Sequence, residues 1–317
     1  MLASGKLVTA TPTKNTDLWK ALQGGSGSFG IVTSITVPTI AKCNVWWGYL
    51  VLWNFDIKNA TKMMHKLLTR NGPRSTDVAK DVYGAGPLLC HGCAETGRQT
   101  SAVILVHTKP GDERGWPATF KTAFGSLWRI WSQFRVDPLS KALGFIASTS
   151  LYGERRHFAT LTVKNDLDTL HEAYAIHVDT VKSLFVDKKK IKGLSYNFVV
   201  QPLPPVSVPE GEVGPMGFTS ADNEPLALLL ITVGWADAED DDLINGCSKK
   251  TIERWQQMAL AKGTLHPYIY LNYAADWQKP FESYGKDWLE FMRGVSKKHD
   301  ETGLFQAGRS GGFKLFE

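Results

Sequence analysis

"HFATLTVKNDLDTLHEAYAIHVDTVKSLF", residues His157 to Phe185, is the stretch on which the fold class turns. His157 to Lys164 reads as a strand. Asn165 or Asp166 can cap a long helix that runs on to about Phe185. Strands come next at Leu194 to Gln201 and Leu226 to Trp235, then a helix from Asp240 to Lys262. The same order occurs upstream. Trp47 to Phe55 reads as a strand. Ile57 to Arg70 reads as a helix with Met63, Met64, Leu67 and Leu68 on one stripe. Val78 to Gly84 and Ser101 to Thr108 read as strands, and Trp116 to about Trp131 as helical, with a further helix at Leu139 to Ala147. Two rounds of strand, helix, strand, strand, helix predict an α+β chain. Its antiparallel sheet carries helices on one face and leaves the other face to cover something.

The flanks read differently. Lys6 to Ala10 is strand-like. Asn15 or Thr16 can cap a short helix, Asp17 to Leu22, that stops at Gly24-Gly25. Ile31 to Val37 is a second strand, closed by Pro38. Between them runs "LQGGSGSFGIVTSI" (Leu22 to Ile35), a loop of the kind that holds something anionic or flat. It comes after a helix and before a strand, the reverse of a dinucleotide fingerprint. "PLPPVSVPEGEVGPMG" (Pro202 to Gly217) is a long loop, and such loops are often functional. At the end come an extended tyrosine-rich stretch, "HPYIYLNYAADW" (His266 to Trp277), and a helix from Pro280 to His299. "GLFQAGRSGGFKL" (Gly303 to Leu315) closes the chain as an irregular segment.

The 317 residues suffice for two domains, and the composition is that of a globular protein, 43% hydrophobic and 21% charged. A net charge of +5 is spread along the chain. The run Lys188-Lys189-Lys190 with Lys192 reads as a solvated helix exit rather than a nucleic-acid patch, and Glu239 to Asp242 as a helix N-terminus. Eleven Trp must in part be buried, and some can line an apolar site. Four Cys are too few for a disulfide scaffold. "CHGC" (Cys90 to Cys93) lacks a second Cys/His pair at zinc spacing, so we read it as a loop with reduced or locally bridged cysteines and expect no metal. No apolar run is long enough to span a membrane, and "MLASGKLVTA" has no apolar leader region, so a cytoplasmic location is expected. The sequon Asn59-Ala60-Thr61 means little without such a leader. There is no P-loop.

"SGKLVTATPTKNTDLWKALQGGSGSFGIVTSITV" (Ser4 to Val37) resembles the end of the flavin-binding region of FAD-linked oxidases of the berberine-bridge-enzyme type. In that family a strand, a helix and a glycine loop lie against the cofactor. "YIYLNYAADW" (Tyr268 to Trp277) and "YGKDWLEFMRGVSKKHDETGLF" (Tyr284 to Phe305) resemble two of its C-terminal signatures. "VGWADAEDDD" (Val233 to Asp242) and "FVVQPLP" (Phe198 to Pro204) fit its fungal branch. The resemblance implies a remnant of the flavin-binding domain at 1–40, a substrate-binding α+β domain at 41–265, and a C-terminal segment at 266–317. That tail is expected to return to the remnant, with Phe305 and Phe313 near Leu18 to Ile35. The resemblance also implies that the pyrophosphate loop and the residues that attach flavin covalently lie in polypeptide preceding Met1. The expectation is therefore no cofactor, or FAD if that part is supplied. Gly24, Gly25, Gly27, Gly30, Ile31 and Val32 would line it in that case.

Candidate site residues lie on the strands and in the tyrosine-rich stretch. Gln201 ends a strand and matches the family position that faces substrate. Tyr270 and Tyr273 lie in the element from which a tyrosine serves as base or donor, and Asn272 would face flavin. His107 is a candidate acid, and Tyr196 and Trp235 sit on neighbouring strands that could line a pocket. Each also has a structural reading, as a strand-end amide or a core side chain, and strand alternation forbids all of them from facing one way. The function expected is a redox-neutral step of secondary metabolism, ring closure or double-bond migration, on an apolar polyketide- or terpenoid-like molecule. The alternatives are the C-terminal portion of a FAD-dependent oxidoreductase acting on an alcohol or amine, and a non-catalytic binding remnant. Neither nucleic acid nor membrane is an expected partner. A homodimer through the face left by the missing subdomain is.

Overall fold

The computed structural model describes residues 1–39, 44–53, 57–71, 84–108, 115–148, 153–185, 190–203 and 208–316. Cys43, Lys188 and Lys189, and all but Gly84 of the strand expected at Val78 to Gly84, lie outside them. In chain order the elements are α1 (Thr16–Leu22), β1 (Asn44–Leu52), α2 (Ile57–Asn71), β2 (Gly84–Ala94), β3 (Gln99–His107), α3 (Ala118–Phe124), β4 (Arg129–Pro138) and α4 (Leu139–Ser148). They continue as β5 (Arg155–Lys164), α5 (Leu167–Leu184), β6 (Ser195–Leu203), β7 (Leu226–Trp235), α6 (Asp241–Ala261), β8 (Leu265–His266), α7 (Lys286–His299) and α8 (Leu304–Ala307). Two compact units result. One comprises Met1–Ile40, Val206–Asn223 and Pro267–Glu317, the other Ala41–Pro205 and Glu224–His266.

The larger unit is a single eight-stranded sheet in the order β4-β1-β3-β2-β6-β7-β5-β8. Its strand pairs are antiparallel. Each half is a β-α-β-β-α-β unit. The order is 4-1-3-2 in the first half and 8-5-7-6 in the second, and the halves join where β2 pairs β6. The two rounds legible in the sequence are these two halves. Asp166 is the residue that caps α5, its carboxylate accepting from the Thr169 N–H at 2.8 Å.

Two expectations need correction. Residues 116–131 are not one helical region, because α3 ends at Phe124 and β4 begins at Arg129. "CHGC" is not a loop but part of β2, paired on both sides. Alternation sends Cys90 to one face and His91 and Cys93 to the other, and Cys90 and Cys93 are free thiols. Among the described residues no three His, Cys, Asp or Glu side chains form a metal-holding group. The sequon lies on α2, where Thr61 is buried with its hydroxyl bonded to the Ile57 carbonyl.

One face of the sheet carries α3, α5 and α6. Trp46 packs on Phe120 of α3, and Phe198 on Trp255 of α6, whose indole N–H donates to the Ala173 carbonyl of α5. Two histidines are sealed in this layer. The His91 Nδ1 and Ser101 Oγ lie 2.8 Å apart, and the His91 ring sits 4.6 Å from that of Tyr174. His177 stacks on Tyr196. Burial holds both imidazoles down to about 3, with the neighbouring His177 adding to the effect on His91. On the opposite face α4 covers only the β1 end, with Phe145 against Trp47 and Tyr49. Among the described residues no helix is long and apolar enough to cross a membrane.

The smaller unit is irregular. Asn15, in the left-handed region at φ +48, does not cap α1 with its side chain, which bonds the Thr9 carbonyl instead. The segments expected as strands at Lys6 to Ala10 and Ile31 to Val37 join no sheet. The tail does return to the N-terminal segment. Lys298 and His299 reach Asp17 at 2.8 and 3.3 Å, and the Gln306 amide reaches the Ser28 carbonyl at 3.5 Å.

Candidate functional site

The glycine loop is explained by its own chain. A Cβ on Gly24, at φ +93, would lie 2.4 Å from Met216 Cγ, and one on Gly25 would lie 2.1 Å from the Phe29 ring. The space beside Gly27 is taken by Arg309 and that beside Gly30 by the Met1 carbonyl. Met1 and Ile31 exchange main-chain bonds, at 2.7 Å from the Met1 amine and 2.9 Å from the Ile31 N–H. Gly24, Gly25 and Gly30 therefore serve close packing within the chain.

Under the loop lies an aromatic cluster that the sequence reading missed. Tyr268 and Tyr284 are buried and stack at 6.0 Å, with Phe218 4.8 Å from Tyr268. The Tyr284 hydroxyl donates to the Gly24 carbonyl and the Tyr268 hydroxyl contacts Met216 Sδ at 3.5 Å. Met216 holds a left-handed backbone at φ +61. Burial first, then the neighbouring tyrosines, pushes both hydroxyls well above the ordinary phenol range. They are hydrogen-bond donors at neutral pH and not bases. The signal for Tyr268 was present in "YIY", since it sits two residues before Tyr270 in an extended stretch. Tyr284 opens the stretch that resembles a C-terminal family signature, but nothing local in the sequence marked Met216.

Of the predicted residues, the smaller unit brings together Tyr270, Asn272 and Tyr273 on one turn. The Asn272 amide donates to the Tyr270 hydroxyl at 2.9 Å, and the Tyr270 and Tyr273 rings meet edge to face at 4.8 Å. With its oxygen accepting, the Tyr270 O–H is available to donate.

In the larger unit the candidates divide by face. Gln201 pairs with Leu228 and lies on the side away from Phe198, the side that α5 and α6 do not cover, where Leu228, Leu230 and Thr162 are nonetheless buried. Tyr196, Trp235 and His107 lie on the helix-covered side. Tyr196 is fully buried against His177, the Trp235 indole donates to Asp241 at 2.8 Å, and His107 packs edge-on to Phe120. These three are core residues on the face opposite Gln201, so alternation removes them from a site built around it.

Ile31 and Val32 are half exposed and border an open groove of about 610 Å³ with Leu7, Val8, Trp19 and Phe29. The lining is mostly apolar. No lysine, arginine or histidine among the described residues lines it, and the one cation at its rim, the Met1 amine, is held by the Ile31 carbonyl. Such a groove accepts a flat or extended apolar molecule. The groove lining itself offers the pyrophosphate of FAD no cationic side chain, and the cation beside the adjacent glycine loop in this unit is Arg309, at Gly27.

No family model matches the sequence. The FAD-dependent monooxygenase sdcF of Emericella nidulans is 28% identical over 320 residues, covering 99% of this chain and 64% of that protein. Among solved structures, 6-hydroxy-D-nicotine oxidase from Arthrobacter nicotinovorans superposes with a TM-score of 0.69 at 15% identity, over 96% of this chain and 63% of that one. BBE-like 1 of Physcomitrella patens gives 0.66 at 16% identity, over 98% and 63%. The chain thus spans less than two thirds of the length of each. In fold it is similar to FAD-linked oxidases such as BBE-like 1, and in sequence to fungal FAD-dependent monooxygenases.

Proposed function

We propose that this chain supplies the substrate-handling part of an oxidoreductase of fungal secondary metabolism, acting on an apolar small molecule. The observation that carries this reading is the alignment with sdcF over nearly the whole chain. In this reading the Tyr270 hydroxyl orients the substrate through one hydrogen bond, and Gln201 is a second candidate for such a bond on the larger unit. Flavin for such a reaction is, in this reading, held in large part by atoms outside the groove lining.

The chemistry of the groove favours a second reading. A mostly apolar lining without cationic side chains supports a redox-neutral step such as ring closure or double-bond migration. Such a step needs a folded substrate and a donor but no electron acceptor.

One experiment separates them. The purified chain is given polyene and polyketide-like substrates with and without oxygen and added FAD, and product masses are read. A product that has lost two hydrogens or gained oxygen, formed only with FAD and oxygen, supports the oxidoreductase. A product of unchanged mass formed without either supports the redox-neutral reading. No turnover under any condition, with apolar ligands still bound, would leave a binding protein and overturn both.

A further inference from the structure

We propose that β4 is a self-pairing edge through which two copies of this chain join their sheets into one. The sheet ends at β4 on one side, and none of the described strands pairs with its outer edge. Natural sheets shorten, charge or cover such edges. The far edge is shortened, since β8 has two residues. The β4 edge has ten, and it is surrounded by exposed aromatic and aliphatic side chains: Trp128 is 67% exposed, Ile130 50%, Trp53 48% and Trp131 45%. These belong to one patch. The Trp53 N–H bonds the Trp128 carbonyl, and Trp131 packs on Tyr49 of the adjacent strand. A tryptophan buries about 150–250 Å² when covered, so these indoles are the anchors an interface uses.

Charge placement selects the second copy as the occupant. An isologous antiparallel pair forms about a two-fold axis, and residues facing each other across it lie on the same side of the sheet. The strand is bulged opposite Val51 and Leu52 and regular from Trp131 onward. With the axis at Gln133, Trp131 of each copy faces Arg135 of the other, a cation–π pair made twice, and Ser132 faces Phe134. Neighbouring registers are worse. Centring on Arg135 sets that residue against itself, and centring on Ser132 sets Trp131 against Gln133 and gains no charge attraction. Centring on Phe134 sets Trp131 against Asp137, whose carboxylate is already taken by the Trp47 indole and Lys141. Arg129 is likewise engaged, lying over the Trp116 ring at 5.3 Å on the helix-covered side. One register alone thus opposes no like charges and adds an attraction.

The test exploits the axis. Gln133 faces its own copy, so Gln133→Lys and Gln133→Glu each set like charges opposite, while an equimolar mixture sets Lys against Glu. Light scattering on the full chain should give twice the mass of one chain for the wild type. Each variant should dissociate at least about tenfold more readily, and the mixture should recover the dimer. Recovery also shows that both variants are folded. A wild-type monomer throughout the micromolar range, a variant that dimerises as tightly as wild type, or a mixture that stays monomeric would each overturn the proposal.

Discussion

The Tyr284 hydroxyl donates to the Gly24 carbonyl at 3.2 Å, linking positions 260 residues apart. This bond ties the C-terminal segment to the turn that ends α1. Replacing Tyr284 by Phe removes the donor and keeps the ring. The loss should be about 1 kcal/mol, a fall of about 2–4 °C in thermal midpoint. An unchanged midpoint would show that the bond contributes nothing.

Gly25→Ala should be far more damaging than its size suggests. The new methyl would lie 2.1 Å from the Phe29 ring and 2.3 Å from the Ala21 carbonyl. Gly246, in α6, is the control, because nothing lies within 4 Å of a Cβ there. Gly246→Ala should be neutral or stabilise by up to about 1 kcal/mol, whereas Gly25→Ala should cost at least about 2 kcal/mol. Chemical denaturation of the two variants reads the difference.

The buried histidine pair predicts acid sensitivity. In the unfolded chain His91 and His177 take up protons near 6.5, in the fold only near 3. Between those values the unfolded state binds more protons, so stability falls as pH drops through that window and levels off below 3. At pH 5 each histidine should cost about 2 kcal/mol relative to pH 7.5. The double variant His91→Gln, His177→Gln should have a flatter stability profile from pH 6.5 to 4. A profile as steep as wild type would refute the assignment.

Face assignment makes a kinetic prediction. Gln201→Ala and Tyr270→Phe should lower kcat/KM by roughly tenfold to a hundredfold, through loss of one orienting hydrogen bond, with the fold unchanged. Tyr196→Phe should leave kcat/KM within about twofold, since its ring stays in the helix layer. A large kinetic effect at Tyr196 would mean that the helix-covered side takes part in the reaction.

Much of the fold was legible because the second half-sheet is strongly patterned. β7 was bounded to the residue, and Asp166 announced α5. β2 was hidden because "GAGPLLCHGCA" is poor in β-branched residues, and its place was fixed by pairing with distant β3 and β6. β4 was hidden because Trp128 and Trp131 fall at helical spacing after α3, although the strand is held by β1. The return of the tail could be read from sequence, and so could the turn that brings Tyr270, Asn272 and Tyr273 together. The faces of Tyr196, Trp235 and His107 could not, because a strand declares its alternation but not which side the helices will take. The glycine loop misled for a related reason: the side chains beside Gly24 and Gly27, Met216 and Arg309, lie about 190 and 280 positions away.

The two-residue β8 has a consequence for growth. A sheet that can add neighbours at both ends is a monomer unit for fibres. In this chain the second half-sheet repeats the first except at its rim, where the counterpart of β4 has shrunk to Leu265 and His266. A particle with a single adhesive end saturates at its first encounter, so concentrating this protein should yield a ceiling in size rather than a lengthening polymer.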